Sequence, residues 1–328
     1  MRRLTVHIGA PKTGSTFLQR LLHGNRERLL REQGILYPEV SLRGFGHHDL
    51  AFLLGGGYPD WAIPQDKSLA TLAAELRTAV AAHRGDIILS SEDFYLYPQP
   101  EGLLRLLHDS GALDGRELRI LVYIRRQDEA HESWYNQTVK AQGATHGLEE
   151  GIERDFVLWD YSAQLAPWAA TFGRAAICVR RFESAAFAGG TLRSDFLQHA
   201  GVADRELVAP SDEINVSLNR DLLEFQRWFN RLPIRTVQKR RFHRQLMQLS
   251  RHSAGQGIFD ETPLLGSERR RAIMSRYRAS NQQLSLAWFN GEVAFSSSDG
   301  QPETRATAGF GLSAGKLLRI LTWLMLRR

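Results

Sequence analysis

The stretch His7-Ile-Gly-Ala-Pro-Lys-Thr-Gly-Ser-Thr-Phe-Leu-Gln19 constrains the fold more than any other part of the chain. It continues the apolar run Leu4-Thr5-Val6-His7-Ile8, which reads as a buried strand. It leads into Phe17, Leu18, Leu21 and Leu22, spaced as one face of a helix. The order is therefore strand, glycine-bearing turn, helix. Such a turn aims several backbone N–H groups and the positive end of a helix dipole at one spot, which makes an anion site. Lys12 adds a full charge there. Ser15 and Thr16 add hydroxyl donors, and Ser15 suits the helix N-cap. A tight turn with a solvated lysine would use the same residues, so the loop needs a second motif beside it.

Gly9 and Gly14 have the spacing of a nucleoside-triphosphate loop, Gly-x4-Gly-Lys-Ser/Thr. Ser15 stands where that loop carries its lysine, and the lysine is Lys12, inside the loop. A nucleoside triphosphatase is thereby disfavoured. The segment Pro11-Lys12-Thr13-Gly14-Ser15-Thr16 resembles the 5′-phosphosulfate loop of sulfotransferases that use 3′-phosphoadenosine 5′-phosphosulfate (PAPS).

A second stretch resembles the same family. Leu118 to Ile124 reads as a strand and runs into Arg125-Arg126-Gln127-Asp128-Glu129-Ala130-His131-Glu132-Ser133. The family's 3′-phosphate site is an arginine at a strand end and a serine eight residues later on the next helix, and Arg125 and Ser133 fit that spacing. The chemistry suits the task, because a guanidinium grips a phosphate bidentately and a hydroxyl adds one hydrogen bond. Trp168, Phe172-Gly173, Val179-Arg180 and Asn215-Val216-Ser217-Leu218 look like landmarks of bacterial, carbohydrate-sulfotransferase-like members.

Asp86 to Ser90 reads as another buried strand, ending in Ser91, Glu92 and Asp93; Ala176 to Phe182 reads as a further one. Helical spacing covers Leu69 to Val80, Leu103 to Leu107, Gln127 to Gln142, Tyr161 to Phe172, Leu192 to Gly201 and Arg269 to Phe289. Strands alternating with helices imply βαβ units and a parallel sheet with helices on both faces. The resemblance implies the same: a P-loop-like three-layer α/β fold with a helical C-terminal part. Residues 1–295 are expected as one sulfotransferase domain, 296–311 as a flexible linker and 312–328 as an amphipathic basic helix. Arg43 to Gly57, glycine-rich with His47 and His48, reads as a loop, and Gly143 to Asp155 as a loop or lid.

Composition narrows the classes. The net charge of +6 suits an anionic cofactor or acidic substrate, but equally a nucleic-acid binder. The basic residues are spread along the chain with no recognisable reading module, so nucleic acid is not the expected partner. Lys239 to Arg244 is strongly basic, and a solvated helical face accounts for it as well as closure over a nucleotide does. Cys178 is the single cysteine, so no disulfide within the chain is expected and a reducing compartment is compatible. No secretory signal and no membrane-spanning run are recognised. The expected location is cytoplasmic, at the inner face of the membrane if the basic 312–328 helix lies on anionic lipid rather than docking on protein. The histidine pair has no third ligand beside it, and no metal site is expected.

The resemblance implies transfer of a sulfuryl group from PAPS, leaving PAP, to an acceptor hydroxyl or amine on a glycan or glycolipid. Lys12 would stabilise charge on the bridging oxygen, with Pro11 to Thr16, Arg125 and Ser133 holding the nucleotide. Family members use a glutamate or a histidine as general base. Glu92 and His48 are the candidates, and Glu92 is preferred because a strand end fixes position better than a glycine-rich loop. The alternatives are a P-loop kinase or nucleotide hydrolase, and a non-catalytic nucleic-acid binder. Oligomeric state is not set by the sequence.

Overall fold

The structure is a computed structural model that describes residues 2–210, 217–234, 236–296 and 312–326, without the side chains of 236–238, 240 and 241. Along the chain the elements run β1 (Arg2–Gly9), α1 (Ser15–Gly24), α2 (Arg26–Gln33), β2 (Ile35–Leu36), α3 (His48–Leu54), α4 (Leu69–Ala81) and β3 (Asp86–Ser90). Next come α5 (Asp93–Leu96), α6 (Pro100–Asp109), β4 (Arg116–Ile124), α7 (Gln127–Gln137), α8 (Leu148–Arg154), α9 (Tyr161–Phe172) and β5 (Ile177–Arg181). The rest is helical: α10 (Leu192–Ala200), α11 (Arg220–Phe229), α12 (Thr236–His252), α13 (Ser267–Arg276), α14 (Arg278–Trp288) and α15 (Ala314–Leu326).

The five strands form one sheet in the order β2-β3-β1-β4-β5, and every pairing is parallel. Parallel neighbours need crossover segments, which place helices on the sheet faces. On one face Leu18, Leu21 and Leu22 of α1, Leu29 of α2, and Phe196 and Leu197 of α10 pack with Ile88, Leu121 and Tyr123. The alternate strand residues Ile87, Leu89, Ile120, Val122 and Ile124 point the other way and are also buried. There α6 packs against α9, and α9 lies beside β5. This is a three-layer α/β fold with a central parallel sheet flanked by helices, as the alternation of patterns predicts.

The chain divides into two compact units. The first comprises Met1–Arg125, Asp160–Asp212 and Ser280–Phe295; the second comprises Arg126–Trp159, Glu213–Ala279 and Ser296–Arg328. The first holds the whole sheet. The described part of the second is helical. Within it α15 packs against α12: Ile320 is fully buried, Trp323 Nε1 donates to the Gln245 carbonyl at 3.2 Å, and Lys316 Nζ pairs with Asp221 at 2.5 Å. Lys239, in the basic segment, donates to the Asn230 carbonyl at 2.6 Å. The expected linker lies outside the described residues from 297 onward, as do Asn215 and Val216.

Four local expectations differ from what is found. Residues expected as loop between Arg43 and Gly57 include α3, whose Leu50, Ala51 and Phe52 are buried. Residues 148–154, expected as loop or lid, form α8. The single helix expected over Arg269–Phe289 breaks at Tyr277, whose hydroxyl donates to the Phe156 carbonyl at 2.7 Å and meets His131 Nε2 at 2.9 Å. A buried tyrosine that must reach two partners sets the chain direction there. Ser15 is the first helical residue rather than the cap, because the chain enters α1 through Gly14 at φ 80°, a left-handed conformation open to glycine.

Candidate functional site

Three neighbouring strands, β3, β1 and β4, deliver the site from their carboxyl ends, where open α/β sheets gather ligands. The loop after β1 is held by its own backbone. The Ala10 N–H donates to the Tyr123 carbonyl of β4 at 2.7 Å, and the buried Thr13 hydroxyl donates back to the Ala10 carbonyl at 2.6 Å. Lys12 at φ 65° and Gly14 at φ 80° bend the loop tightly into α1. No side chain caps α1, and its first turn carries no acidic residue. The Phe17 and Leu18 N–H groups turn back to the Gly14 carbonyl at 3.0 and 3.2 Å, and the Ser15 and Thr16 amides lie ahead of the first helical carbonyl. Thr16 lies in that first turn, Pro11 is buried, and the Ser15 hydroxyl is 3.5 Å from the Ala10 carbonyl. Burial pulls Lys12 below the ordinary lysine range; Glu92 works against this and Arg125 adds to it.

The end of β3 supplies the opposite charge. Glu92 approaches the loop closely: a Cβ on Gly9 would lie 3.0 Å from its Cα and Cβ. Its carboxylate accepts from Gln19 Nε2 of α1 at 2.7 Å. Burial alone would raise the Glu92 pKa, but His48, a backbone hydrogen bond, Gln19 and His7 outweigh it and hold the group below the ordinary carboxylate value. His48 Nδ1 faces Asp93 Oδ2 at 2.6 Å and Ser91 Oγ at 2.9 Å. Burial would lower its pKa, but Glu92 and Asp93 raise it above the ordinary imidazole value. A Cβ on Gly46 would lie 2.6 Å from His48 Nε2 and 2.9 Å from the Gln19 amide carbon, so Gly46, Gln19 and His48 meet beside Glu92.

The other histidine of the pair has a different job. His47 is fully buried; its Nδ1 accepts from the Ser90 N–H at 3.1 Å and its Nε2 meets the Pro38 carbonyl at 2.9 Å. Burial depresses it to about 4, and it stays neutral as a strut between segments.

At the end of β4, Arg125 Nη1 reaches the Lys12 carbonyl at 3.4 Å and its guanidinium carbon lies 5.6 Å from the centre of the Phe182 ring. The Tyr161 hydroxyl donates to the Arg125 carbonyl at 2.7 Å and accepts from the Arg125 N–H at 3.2 Å. The first unit thus brings Lys12, Arg125 and Glu92 to one edge of the sheet. Ser133, half-buried, lies on α7 in the second unit.

Sequence reading left Gln19, Asp93, Tyr161 and Phe182 without roles at the site. Gln19 did carry a signal: it is a polar residue adjacent to the leucines of an apolar helix face. Asp93 stands next to Glu92 and could be read only as part of a strand exit. Among the described residues no group of three or more His, Cys, Asp or Glu side chains forms a metal site. The arrangement can hold an anion on the Lys12 loop with Arg125 beside it, and present a negative carboxylate next to that anion.

No family model matches the chain. It is 28% identical over 185 residues to an uncharacterized protein of Archaeoglobus fulgidus, a match covering 56% of this chain. The match spans about half of that relative, 49% of its length. Among solved structures, a sulfotransferase from Alicyclobacillus acidocaldarius aligns with a TM-score of 0.42 and 18% identity, over 66% of this chain and 87% of that one.

Proposed function

We propose that this protein is a sulfotransferase that moves a sulfuryl group from PAPS to an acceptor hydroxyl or amine. One observation carries the reading: the carboxyl ends of three adjacent strands unite an uncapped, lysine-bearing loop, an arginine and an anionic glutamate. The loop fits the donor's 5′-phosphosulfate, since its leading amides, Lys12 and the absence of any first-turn carboxylate all favour an anion. Arg125 fits a second phosphate group, because its planar fork is seated on Phe182 and the Tyr161 hydroxyl fixes its backbone. For Ser133, in the second unit, a role in phosphate binding rests on the motif spacing alone. PAPS, when bound, supplies a sulfate already activated as a phosphoric–sulfuric anhydride.

The side chains then divide the work. Lys12 stabilises charge on the bridging oxygen as the bond to sulfur breaks, and Thr13 to Thr16 hold the 5′ end. Glu92 takes the acceptor proton: it is held ionised, whereas His48 is held toward its protonated form with Nδ1 committed to Asp93 and Ser91. His48 and Gln19 are then the groups that keep Glu92 charged and oriented. The acceptor proposed is a glycan or glycolipid, in keeping with the net charge of +6.

Calorimetric titration with PAP, AMP and ATP tests this. Expected is PAP binding that exceeds AMP binding and falls about 10- to 100-fold in Lys12→Ala and in Arg125→Ala, the loss of one charge-assisted contact. No PAP binding, or preference for Mg·ATP, overturns the assignment in favour of a kinase or hydrolase. For the base, Glu92→Gln should abolish turnover with PAP affinity kept. His48→Ala should reduce turnover less. If Glu92→Gln turns over at the parent rate, the proton goes elsewhere.

A further inference from the structure

Four guanidinium groups, of Arg2, Arg77, Arg84 and Arg116, line a cleft of about 340 Å³ in the first unit. Arg2 opens β1 and Arg116 opens β4, so the cleft lies at the amino ends of strands whose carboxyl ends carry Lys12 and Arg125. Main-chain carbonyls seat the four groups. Arg2 donates to Arg84 O at 3.0 Å, Arg77 to Asp109 O at 3.1 Å and Arg84 to Ala81 O at 3.2 Å. Arg116 donates to Gly85 O at 2.8 Å and His83 O at 2.7 Å. Arg2 also lies over Gly115, where a Cβ would come within 3.0 Å of its Nη2.

These bonds hold the cations without neutralising them. Among the described residues none of the four forms a carboxylate ion pair. Two carboxylates line the cleft: Asp109, which meets the His108 ring at 3.5 Å, and Asp114, which lies against Gly111. Four cations against two anions leave a positive excess. Burial and the neighbouring Arg2 push Arg116 below the ordinary arginine value, with Arg84 adding to this and Asp114 and Asp86 opposing it. A like-charged cluster fixed by carbonyls, around a space of small-molecule size, gains from an anion placed in it.

We propose that this cleft binds an oxyanion ester, a sulfate or phosphate group carried on a small polar body of about hexose size. The site is separate from the Lys12 loop and does not depend on the sulfuryl-transfer reading. Calorimetry on the full chain in low salt tests it with glucose 6-sulfate, glucose 6-phosphate and inorganic sulfate. Lys12→Ala serves as the background, in which anion binding at the β1–α1 loop is weakened. Expected is one saturable site for a hexose ester, weakened at least tenfold by Arg77→Ala or Arg84→Ala, both exposed positions whose loss leaves the fold intact by circular dichroism. Tighter binding of the sulfate ester than the phosphate ester identifies the sulfated source, and the reverse identifies the phosphorylated one. Inorganic sulfate binding as tightly as both esters overturns the organic body. No saturable binding, or binding unchanged in both arginine variants, overturns the site.

A different observation carries a second inference. On α15, Leu318, Met325 and Leu321 are 65%, 62% and 46% exposed, and at 100° per residue they fall on one stripe away from the buried Ile320. The sequence from 304 to 328 contains Arg305, Arg319, Arg327 and Arg328, besides Lys316 with its partner Asp221, and no Asp or Glu. An apolar stripe on a wholly cationic segment is complementary to an anionic bilayer surface. We infer that this face of α15 rests on anionic lipid. The full chain should co-sediment with phosphatidylcholine–phosphatidylglycerol vesicles, less so at high salt and not with phosphatidylcholine alone. The pair Leu318→Glu and Met325→Glu should abolish pelleting with the melting temperature kept. No pelleting overturns the inference. So does a dimer that the same pair dissociates without any vesicle binding, which would assign the stripe to a second copy of the chain.

Discussion

At the scale of single residues, the site is a small charge network around Glu92. Gln19 has one visible task there, donating to the carboxylate at 2.7 Å while itself buried. Gln19→Leu leaves that oxygen without its donor, a loss of roughly 1–3 kcal/mol for the charged form. We expect the acid limb of the pH–rate profile to move to higher pH and kcat to fall, with PAP affinity unchanged. A profile identical to the parent would remove Gln19 from the network. His48 gives a stability test with a definite sign. Its folded pKa is raised above 6.5 by Glu92 and Asp93. Its contribution is therefore fully present below the unfolded value and is lost as pH rises through the folded one. Asp93→Asn removes part of that dependence, so the fall in melting temperature as pH rises above 6.5 should become shallower.

At the scale of elements, two joints decide where the site residues stand. The first is the entry to α1. Gly14 has φ 80°, and a Cβ there would lie 2.4 Å from Leu192 Cδ2 of α10. Leu192 can turn aside, but the left-handed backbone penalises any side chain by about 1–2 kcal/mol. Gly14→Ala should cost at least that in urea unfolding and should weaken PAP binding, because the amides beside it are the proposed anion donors. The second joint ties β4, β5 and α10. Asp195 is fully buried, accepts from Tyr123 Oη at 2.6 Å, from Arg180 Nη2 at 2.6 Å and from the Ala188 N–H at 2.8 Å. Burial would raise its pKa, but Arg180, Tyr123 and the Ala188 amide hold it below the ordinary 3.8. Its contribution is thus present above that value and lost as pH falls through the lower folded one. Asp195→Ala strands the Arg180 charge and should cost roughly 3–5 kcal/mol in urea at neutral pH.

For the molecule as a whole, the net charge of +6 is the property that acts at a distance. A positive field speeds the approach of an anion and is screened over about 10 Å at 0.1 M salt. The association rate of PAP, followed by stopped flow, should fall as salt rises while the dissociation rate changes less. A flat association rate would show that the field does not steer the ligand. None of the described helices is long and apolar enough to cross a membrane.

The sequence by itself determined the parallel α/β architecture, because strand and helix periodicities are local and a strand-turn-helix order leaves few topologies. It singled out Lys12 and Arg125 because each follows an apolar run that reads as a buried strand, and because the segments around them resemble the phosphate-binding motifs of PAPS-dependent sulfotransferases. It could not show that β1 lies between β3 and β4, and that order is what sets Lys12, Glu92 and Arg125 at one edge. Nor could it separate His47 from His48: adjacent in sequence, they differ because one is buried with both ring nitrogens used and the other meets Asp93 and Ser91. Gln19, Tyr161 and Phe182 entered the site only through contacts between segments far apart in the chain. The arginine cleft assembles likewise from residues 2, 77, 84 and 116. Such pairings depend on which faces the packed helices bury, a choice made by the tertiary structure as a whole and carried by no local pattern.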